Sequence, residues 1–280
     1  MAPYIEQTLR SVLDQEYPNL EYIVIDGGST DGTQQIIERY KSRLAYYVSE
    51  PDKGMYDALR KGFARAAGDV LGWINADDIY MPWTLKTVND VFTKFPEMQW
   101  LGGKYSFLNE DGTLAQIFPK TSIRCQKDIR NGWCREGVLG PLQQESMFWR
   151  RELYTQSGGL DTSYKYAGDF ELWTRFANYA QLTKIDIPLA AFRKRKTSLS
   201  KAGKVKYNSE IEKAIICNPK YPNFLWSILG KSNALIQFLR LLRCRRGEIL
   251  YFDMSTQELK KKTIICSSSN HDILSLLIYR

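Results

Sequence analysis

Residues 70–78, VLGWINADD, combine an apolar run with two adjacent carboxylates. The run at 70–74 is typical of a β-strand covered on both faces, and Asp77 and Asp78 follow it after two residues. Ligands of α/β proteins bind where parallel strands end. Adjacent carboxylates repel each other, so a divalent cation bound to their oxygens would stabilise them. A helix N-cap is the alternative, because Asp78 shortly precedes Pro82 and an amphipathic stretch.

Outward from this stretch, the chain alternates between helix and strand up to about residue 100. Apolar spacing predicts helices over 4–15, 33–40 and 56–66, and strands over 20–25, 45–48 and 70–74. Such alternation indicates a parallel sheet with right-handed crossovers. Beyond it, the pattern predicts an antiparallel hairpin with arms at 99–103 and 113–117, and a helix over 170–180.

Composition limits the classes of function. The 280 residues carry a net charge of +8, and their basic residues concentrate after residue 190 without a recognisable nucleic-acid-reading motif, so we expect no nucleic-acid partner. The single histidine, His271, argues against a histidine-based triad or metal site. Five cysteines without metal-ligand spacing, and an amino terminus unlike a signal peptide, indicate a reduced, cytoplasmic chain.

Two further turns place carboxylates at the same edge of the predicted sheet. The glycine-rich turn at 26–33 lets backbone N–H groups approach a phosphate or a base, and Asp31 suits the cap of the following helix. Tight-turn chemistry alone explains such a segment equally well. The next turn, at 49–58, again carries acids. Acids at three successive turns are difficult to explain by capping alone.

Five ordered blocks, at 26–33, 49–58, 75–78, 144–151 and 167–173, together resemble those of family 2 glycosyltransferases. The resemblance covers about residues 3–215. It implies an α/β protein of GT-A type, whose mostly parallel central sheet is flanked by helices and has a small antiparallel portion. We therefore expect a glycosyltransferase domain at 1–215 and a helical, basic and apolar extension at 216–280.

The resemblance also implies a reaction, namely inverting transfer of a sugar from a nucleotide-sugar donor to a hydroxyl of a glycan or lipid-linked glycan. Such transfer serves polysaccharide or glycoconjugate biosynthesis. Mg²⁺ or Mn²⁺ would neutralise the departing diphosphate. The implied roles are metal binding for Asp77 and Asp78 beside Asn75, nucleotide-sugar binding for Asp26, Asp52 and Asp57, and catalytic base for Asp169. For Asp169 a helix N-cap is the alternative, and Glu171 is the reserve candidate for the base.

The chain departs from the family pattern at two places. Arg60 stands where relatives often carry asparagine. In addition, relatives begin with an apolar strand before the first helix, and its absence here would leave a gap between the strands at 21–25 and 70–74. We expect that Met1 is not the natural start. The alternatives are that another segment fills the gap, or that the chain is an impaired remnant that only binds sugar nucleotides.

An apolar segment at 224–246 ends in several arginines. It suits an interfacial helix that would bring the protein to anionic lipid at the inner face of the membrane. Packing on the domain or on a second subunit is the alternative. The basic residues after residue 190 indicate a further alternative function, an adaptor that binds a membrane or a polyanion.

Overall fold

A computed structural model of the chain describes residues 1–195, 203–216 and 246–265. Its amino-terminal part follows the predicted alternation, with ends shifted by a few residues. The elements are α1 (Ala2–Leu13), β1 (Ile23–Asp26), α2 (Thr33–Glu38), β2 (Tyr46–Ser49), α3 (Met55–Arg65) and β3 (Val70–Gly72). Strands β1 and β2 pair in parallel, with Ile23 opposite Tyr46. Helix α1 forms because Ile5, Leu9, Val12 and Leu13 recur at helical spacing and are all buried.

The later elements complete two more sheets. In chain order they are β4 (Ile79–Tyr80), α4 (Thr84–Lys94), β5 (Trp100–Lys104), β6 (Ser106–Leu108), β7 (Leu114–Ile117), α5 (Gln126–Arg130), β8 (Met147–Arg150), α6 (Arg151–Gln156), α7 (Gly168–Phe176), β9 (Thr183–Pro188), β10 (Ala190–Arg193), α8 (Lys204–Ile216), β11 (Arg246–Asp253) and β12 (Glu258–Ile265). None of the helices in these described ranges is long and apolar enough to cross a bilayer.

The central sheet has six strands in the order β12-β11-β9-β5-β8-β3. Strands β3, β5, β9 and β11 run in one direction, and β8 and β12 run in the other. The expected α/β class of GT-A type, with helices around a sheet that is partly parallel and partly antiparallel, is confirmed.

A second sheet, in the order β4-β10-β6-β7, contains the predicted hairpin but with a different first arm. The arms are β6 and β7, whereas the segment expected to be an arm at 99–103 lies in the central sheet as β5, parallel to β9. The arm assignment at 99–103 was therefore wrong. Trp100 and Leu101 are both fully buried, so β5 is covered on both faces, while β7 is exposed along its whole length.

The carboxyl-terminal extension is not helical throughout, which corrects the expectation for 216–280. Residues 246–265 form a β-hairpin, and β11 extends the central sheet by pairing in parallel with β9. Leu250 is fully buried there, and the lysines at 260–262 lie on the outer strand β12, where lysine discourages further strand pairing. The expected interfacial segment at 224–246 lies, except for Arg246, outside the described residues.

Four tryptophans form the centre of the largest apolar cluster. The rings of Trp73 and Trp173 stack with centroids 5.6 Å apart, and those of Trp100 and Trp173 stack at 5.4 Å. Trp149 meets Trp73 edge-on at 5.5 Å. Because Trp173 belongs to α7 and the other three follow or lie within strands of the central sheet, this cluster fixes α7 on the sheet.

Candidate active site

A cavity of about 1540 Å³ separates β1 from β3 and opens where β1, β2 and β3 end. In the described part of the chain, β1 pairs with β2 and β3 pairs with β8, so the expected gap between these two strands is confirmed. Of the six carboxylates in the predicted site, four line the cavity and two do not. The lining ones are Asp26, Asp52, Asp77 and Asp169, and the others are Asp57 and Asp78.

Asp77 and Asp78 lie in the loop between β3 and β4. Helix α4 begins at Thr84, so the N-cap interpretation of Asp78 is wrong. Asp78 is fully buried, and its carboxylate accepts hydrogen bonds from the backbone N–H of Arg193 at 2.8 Å and from Nδ2 of Asn75 at 3.2 Å. Burial, together with the charge of Asp77, raises the pKa of Asp78 to about 7.

Two arginines hold this loop. Nε of Arg195 lies 2.6 Å from Oδ2 of Asp77, and both side chains are nearly buried. The side chain of Arg193 is also buried, and its Nε donates to the backbone oxygen of Asp77 at 2.6 Å. In the sequence, both arginines stand out only as members of a basic cluster. Their spacing of two residues, with Arg193 at the end of β10 and Arg195 just beyond it, was an available signal, because residues two apart in an extended segment share a face.

The turn after β1 is organised by Asp26. Its carboxylate accepts hydrogen bonds from the N–H and the hydroxyl of Ser29 at 2.9 and 2.6 Å, and from the hydroxyl of Ser49 at 2.5 Å. Burial raises the pKa of Asp26, but these hydrogen bonds outweigh it and leave the pKa lowered. Asp52 packs against Gly27, where an added Cβ would lie only 2.4 Å from Oδ2 of Asp52. Glycine is therefore required for this close approach.

Asp57 is turned away from the cavity. It lies in the first turn of α3, and its carboxylate is 3.2 Å from Nη2 of Arg60 and 3.7 Å from Nζ of Lys61. The backbone N–H of Lys53 also donates to it, and this hydrogen bond is the main reason that the pKa of Asp57 is lowered. The structure thus does not group Asp57 with the carboxylates that line the cavity, and the unexpected Arg60 is one of its partners.

Asp169 lies in the first turn of α7, one residue after the start of the helix at Gly168, and Ala167 occupies the N-cap position. Its Oδ1 accepts a hydrogen bond from the hydroxyl of Tyr56 at 3.1 Å, and burial raises its pKa. The reserve candidate Glu171 is paired with Arg175 at 2.5 Å and does not line the cavity.

The loop before Asp169 is anchored by Glu210 of α8. The carboxylate of Glu210 accepts hydrogen bonds from the backbone N–H groups of Lys165, Tyr166 and Ala167 at 2.8–2.9 Å. Glu210 has no local signal in the sequence, since nothing there distinguishes it from any other acid on an amphipathic helix. Its three bonds fix the backbone that presents Asp169 to the cavity.

Residues 2–135 match the family model described as Glycosyl transferase family 2, and curated relatives and similar structures agree with that match. These matches support membership of glycosyltransferase family 2. A putative teichuronic acid biosynthesis glycosyltransferase, TuaG of Bacillus subtilis, is 33% identical over 114 residues, which are 39% of this chain and 44% of TuaG. An uncharacterized glycosyltransferase of Rickettsia typhi is 25% identical over 175 residues, covering 62% of this chain and 55% of that protein.

Solved structures support the fold. Staphylococcus aureus TarS 1–349 in complex with UDP-GlcNAc matches with a TM-score of 0.60 and 18% identity, over 85% of this chain and 67% of that one. The mannosyltransferase PcManGT of Pyrobaculum calidifontis, in complex with GDP-Man and Mn²⁺, matches with a TM-score of 0.56 and 20% identity, over 86% and 67%. The match covers 55%, 30% and 61% of the length of curated relatives from Rickettsia typhi, Rickettsia conorii and Haemophilus influenzae, respectively.

One carboxylate that lines the cavity, Asp77, has the chemistry of a ligand for a divalent cation. In the described ranges, no group of three or more histidine, cysteine, aspartate and glutamate side chains is placed to hold a metal ion. Asp77 nevertheless faces the cavity, whereas Asp78 is buried behind it. Mg²⁺ commonly uses one or two carboxylates together with substrate phosphates, so Asp77 suits a site that a bound diphosphate completes.

Two further polar residues of the site come from the block at 144–151. Gln144 donates through Nε2 to the backbone oxygen of Trp73 at 2.8 Å and accepts through Oε1 from Asn75 at 3.2 Å. Glu145 lines the cavity and is buried; within the described residues its Oε1 has no hydrogen-bond partner. The sequence indicated this block only as part of the family resemblance, and gave neither residue a role.

Proposed function

We propose that this chain transfers a sugar from a nucleotide-sugar donor to a hydroxyl acceptor, with inversion at the anomeric carbon. The observation that carries the proposal is that Asp77 and Asp169 come from different elements but line one cavity. An inverting transfer needs a group that manages the leaving diphosphate and a base for the acceptor, and these two carboxylates suit the two roles.

Each end of the reaction has its own residues in this proposal. The turn of Asp26 and Asp52 binds the nucleoside, and Asp77 binds on the diphosphate side. Mg²⁺ or Mn²⁺, when bound, would act there as a Lewis acid that stabilises the departing diphosphate. Asp78, buried behind Asp77 and bonded to Asn75, holds the loop in place. Complexes of similar structures with UDP-GlcNAc and GDP-Man support a nucleotide-sugar donor.

Asp169 is the proposed general base. It takes the proton of the acceptor hydroxyl while that oxygen bonds to the anomeric carbon, and the bond to the diphosphate oxygen breaks on the opposite face. Burial raises the pKa of Asp169, which makes its carboxylate a stronger base. The hydroxyl of Tyr56 orients it through the bond to Oδ1. Asp57 would act indirectly, by holding the turn at Lys53.

The acceptor is proposed to be a glycan or lipid-linked glycan in polysaccharide or glycoconjugate biosynthesis. The relative TuaG, whose name refers to teichuronic acid biosynthesis, supports this class. We place the reaction in the cytoplasm, at the inner face of the membrane if the acceptor is lipid-linked.

The test measures sugar transfer and donor hydrolysis with UDP- and GDP-sugars in the presence of Mn²⁺. Asp169→Asn should lower kcat by about 100-fold to 10,000-fold and leave the donor Kd unchanged, because general base catalysis contributes about that much. Glu171→Gln is the matched control, because Glu171 lies two residues after Asp169 on the same helix and does not line the cavity. Equal turnover by wild type and Asp169→Asn would reject the base assignment, and NMR of the product tests inversion.

A second candidate, donor binding without turnover, is favoured by the gap between β1 and β3. Two results together would support it. Calorimetry would detect binding of a nucleotide sugar, and the assays above would detect neither transfer nor hydrolysis under any of these conditions. Turnover by the chain as written would reject it.

A further inference from the structure

Three phenylalanine rings of the second sheet form one wall of the cavity. Phe107 of β6 and Phe192 of β10 are opposite each other in the parallel pair of strands, so their side chains share a face. Their ring centroids lie 6.3 Å apart, and the ring of Phe118, just after β7, lies 5.6 Å from that of Phe107. All three rings line the cavity and are only partly buried. We name these three rings the aromatic platform.

The loop before β8 connects the aromatic platform to the candidate active site. The hydroxyl of Tyr105 donates to the backbone oxygen of Pro141 at 2.7 Å. The side chain of Gln143 forms two hydrogen bonds with the backbone of Ser106, at 3.0 and 2.6 Å. Pro141 also lines a small cavity together with Asp169. The strand that carries the platform is therefore bonded to a loop that reaches the proposed base.

The platform faces away from the carboxylate proposed to bind on the diphosphate side. Arg193 follows Phe192 on β10, so the two side chains point to opposite faces of the strand. Arg193 donates from Nε to the backbone oxygen of Asp77, and Arg195, two residues later, pairs with the carboxylate of Asp77. The loop of Asp77 is thus held on the face opposite to the platform. This separation favours the acceptor, and not the donor, as the ligand of the platform.

A cation accompanies the apolar surface of the platform. Nζ of Lys194 lies 4.1 Å from the ring centroid of Phe107, and the side chain of Lys194 is exposed. Among the described residues it forms no ion pair. An apolar segment laid over the platform would remove this ammonium group from water without replacing its hydrogen bonds, which is costly. A sugar avoids that cost, because its ring face carries C–H groups that suit the negative face of an aromatic ring, and its edge is polar.

We propose, on the basis of the proposed function, that the aromatic platform is the acceptor subsite and that it binds an acidic sugar. The sugar ring stacks on the phenylalanines, and its carboxylate or phosphate group pairs with Lys194. Stacking uses the face of the sugar ring, so the hydroxyls at its edge stay free to meet Asp169.

An NMR titration tests this binding without requiring turnover. The full chain, isotope-labelled in its phenylalanine rings, is titrated with methyl glycosides of glucose, galactose, mannose and N-acetylglucosamine, then with methyl glucuronide, methyl galacturonide and a glucose phosphate. Phe118→Leu and Phe192→Leu assign the two ring signals. Both signals should shift on addition of the acidic sugars, and that of Phe252, which is 50% exposed on β11 and does not line the cavity, should not.

Substitutions then separate stacking from charge. Phe118→Leu should weaken binding of the acidic sugars by about threefold to tenfold, because leucine keeps apolar contact but has no ring face. Phe252→Leu is the matched control and should leave the Kd unchanged. Acidic sugars should bind about twofold to fivefold more tightly than neutral ones at low salt, since the ion pair is exposed. Lys194→Gln, or added salt, should abolish that preference. Comparing the uronides with the glucose phosphate identifies the anion.

Kinetics distinguish this proposal from the proposed function. In transfer assays Phe118→Leu should raise the acceptor KM by the same threefold to tenfold or so, with the donor Kd from calorimetry as the reference. A raised donor Kd would assign the platform to the donor instead and overturn the proposal. Sugar binding on the platform by a wild type that shows no transfer would support the subsite and reject the proposed function alone.

Two further results would overturn the proposal. The first is that the signals of Phe118 and Phe192 do not move with any of these sugars; combined with a loss of stability in Phe118→Leu, it would mean that residues of the chain outside the described ranges cover the platform. The second is an equal Kd for acidic and neutral sugars at low salt, which would reject the pairing with Lys194.

Discussion

Replacing Lys184 by methionine should raise the free energy of unfolding near neutral pH and flatten its dependence on pH. Lys184 belongs to β9, is fully buried, and donates from Nζ to the backbone oxygen of Gly103. Burial, more than the nearby charge of Arg124, lowers the pKa of Lys184 from its ordinary 10.5 to about 7. Between these two values the unfolded chain binds more protons than the folded one, so the free energy of unfolding rises with pH.

The magnitude follows from these two pKa values. For this one amine, the linkage relation gives a penalty in the free energy of unfolding of about 4 kcal/mol at pH 7 and about 2 kcal/mol at pH 9. Methionine removes that penalty but leaves the Gly103 carbonyl without its donor, at a cost of about 2 kcal/mol. Lys184→Met should therefore be more stable than wild type by about 2 kcal/mol at pH 7, and about equal to it at pH 9.

Urea unfolding followed by circular dichroism at pH 7, 8 and 9 measures this difference. Lys86→Met is the matched control, because the side chain of Lys86 is 80% exposed and its replacement should not alter the pH dependence. Parallel curves for wild type and Lys184→Met across this range would refute the reasoning, since they would mean that the buried amine keeps an ordinary pKa.

Three further predictions concern the site. Gly27→Ala should displace the Asp52 carboxylate and lower kcat/KM by about tenfold to 100-fold, with an unchanged circular dichroism spectrum; unaltered kinetics would argue against a donor role for this turn. Arg195→Ala should strengthen Mn²⁺ binding by about tenfold, because the guanidinium of the wild type competes with the cation for Asp77. Calorimetry in the absence of donor measures this affinity, and weaker binding by the variant would contradict the prediction. Glu210→Ala should cost about 2 kcal/mol of stability and speed amide exchange at 165–167, and unchanged exchange there would reject the anchor.

Strong local patterns predicted most of the fold. Helix α1 and the strand at 70–72 could be located because their apolar periodicity is regular. The hairpin at 246–265 was missed, because its lysines at 260–262 resemble a solvated basic cluster and only pairing with distant β9 gives β11 a buried face. Long-range pairing of this kind leaves no local signal in one sequence.

The same difference between local patterns and long-range pairing applies to the candidate active site. The four lining carboxylates were identified from their turns and from the family resemblance. The pairing of Arg195 with Asp77 joins residues 118 positions apart, and depends on where β10 lies beside β4. Asp57 is the opposite case, since Arg60 is three residues later on the same helix and their pairing was readable from the helical spacing.

The stacked tryptophans give the position of α7 a spectroscopic signal. Indole rings whose centroids lie 5.4–5.6 Å apart exchange excitation energy and share their near-ultraviolet transitions. Trp173 lies four residues after Asp169 on α7, while Trp73 follows β3 shortly before Asp77. A ligand that shifts α7 against the sheet would alter this shared signal, so the protein contains its own spectroscopic reporter, and site occupancy can be followed without an added label.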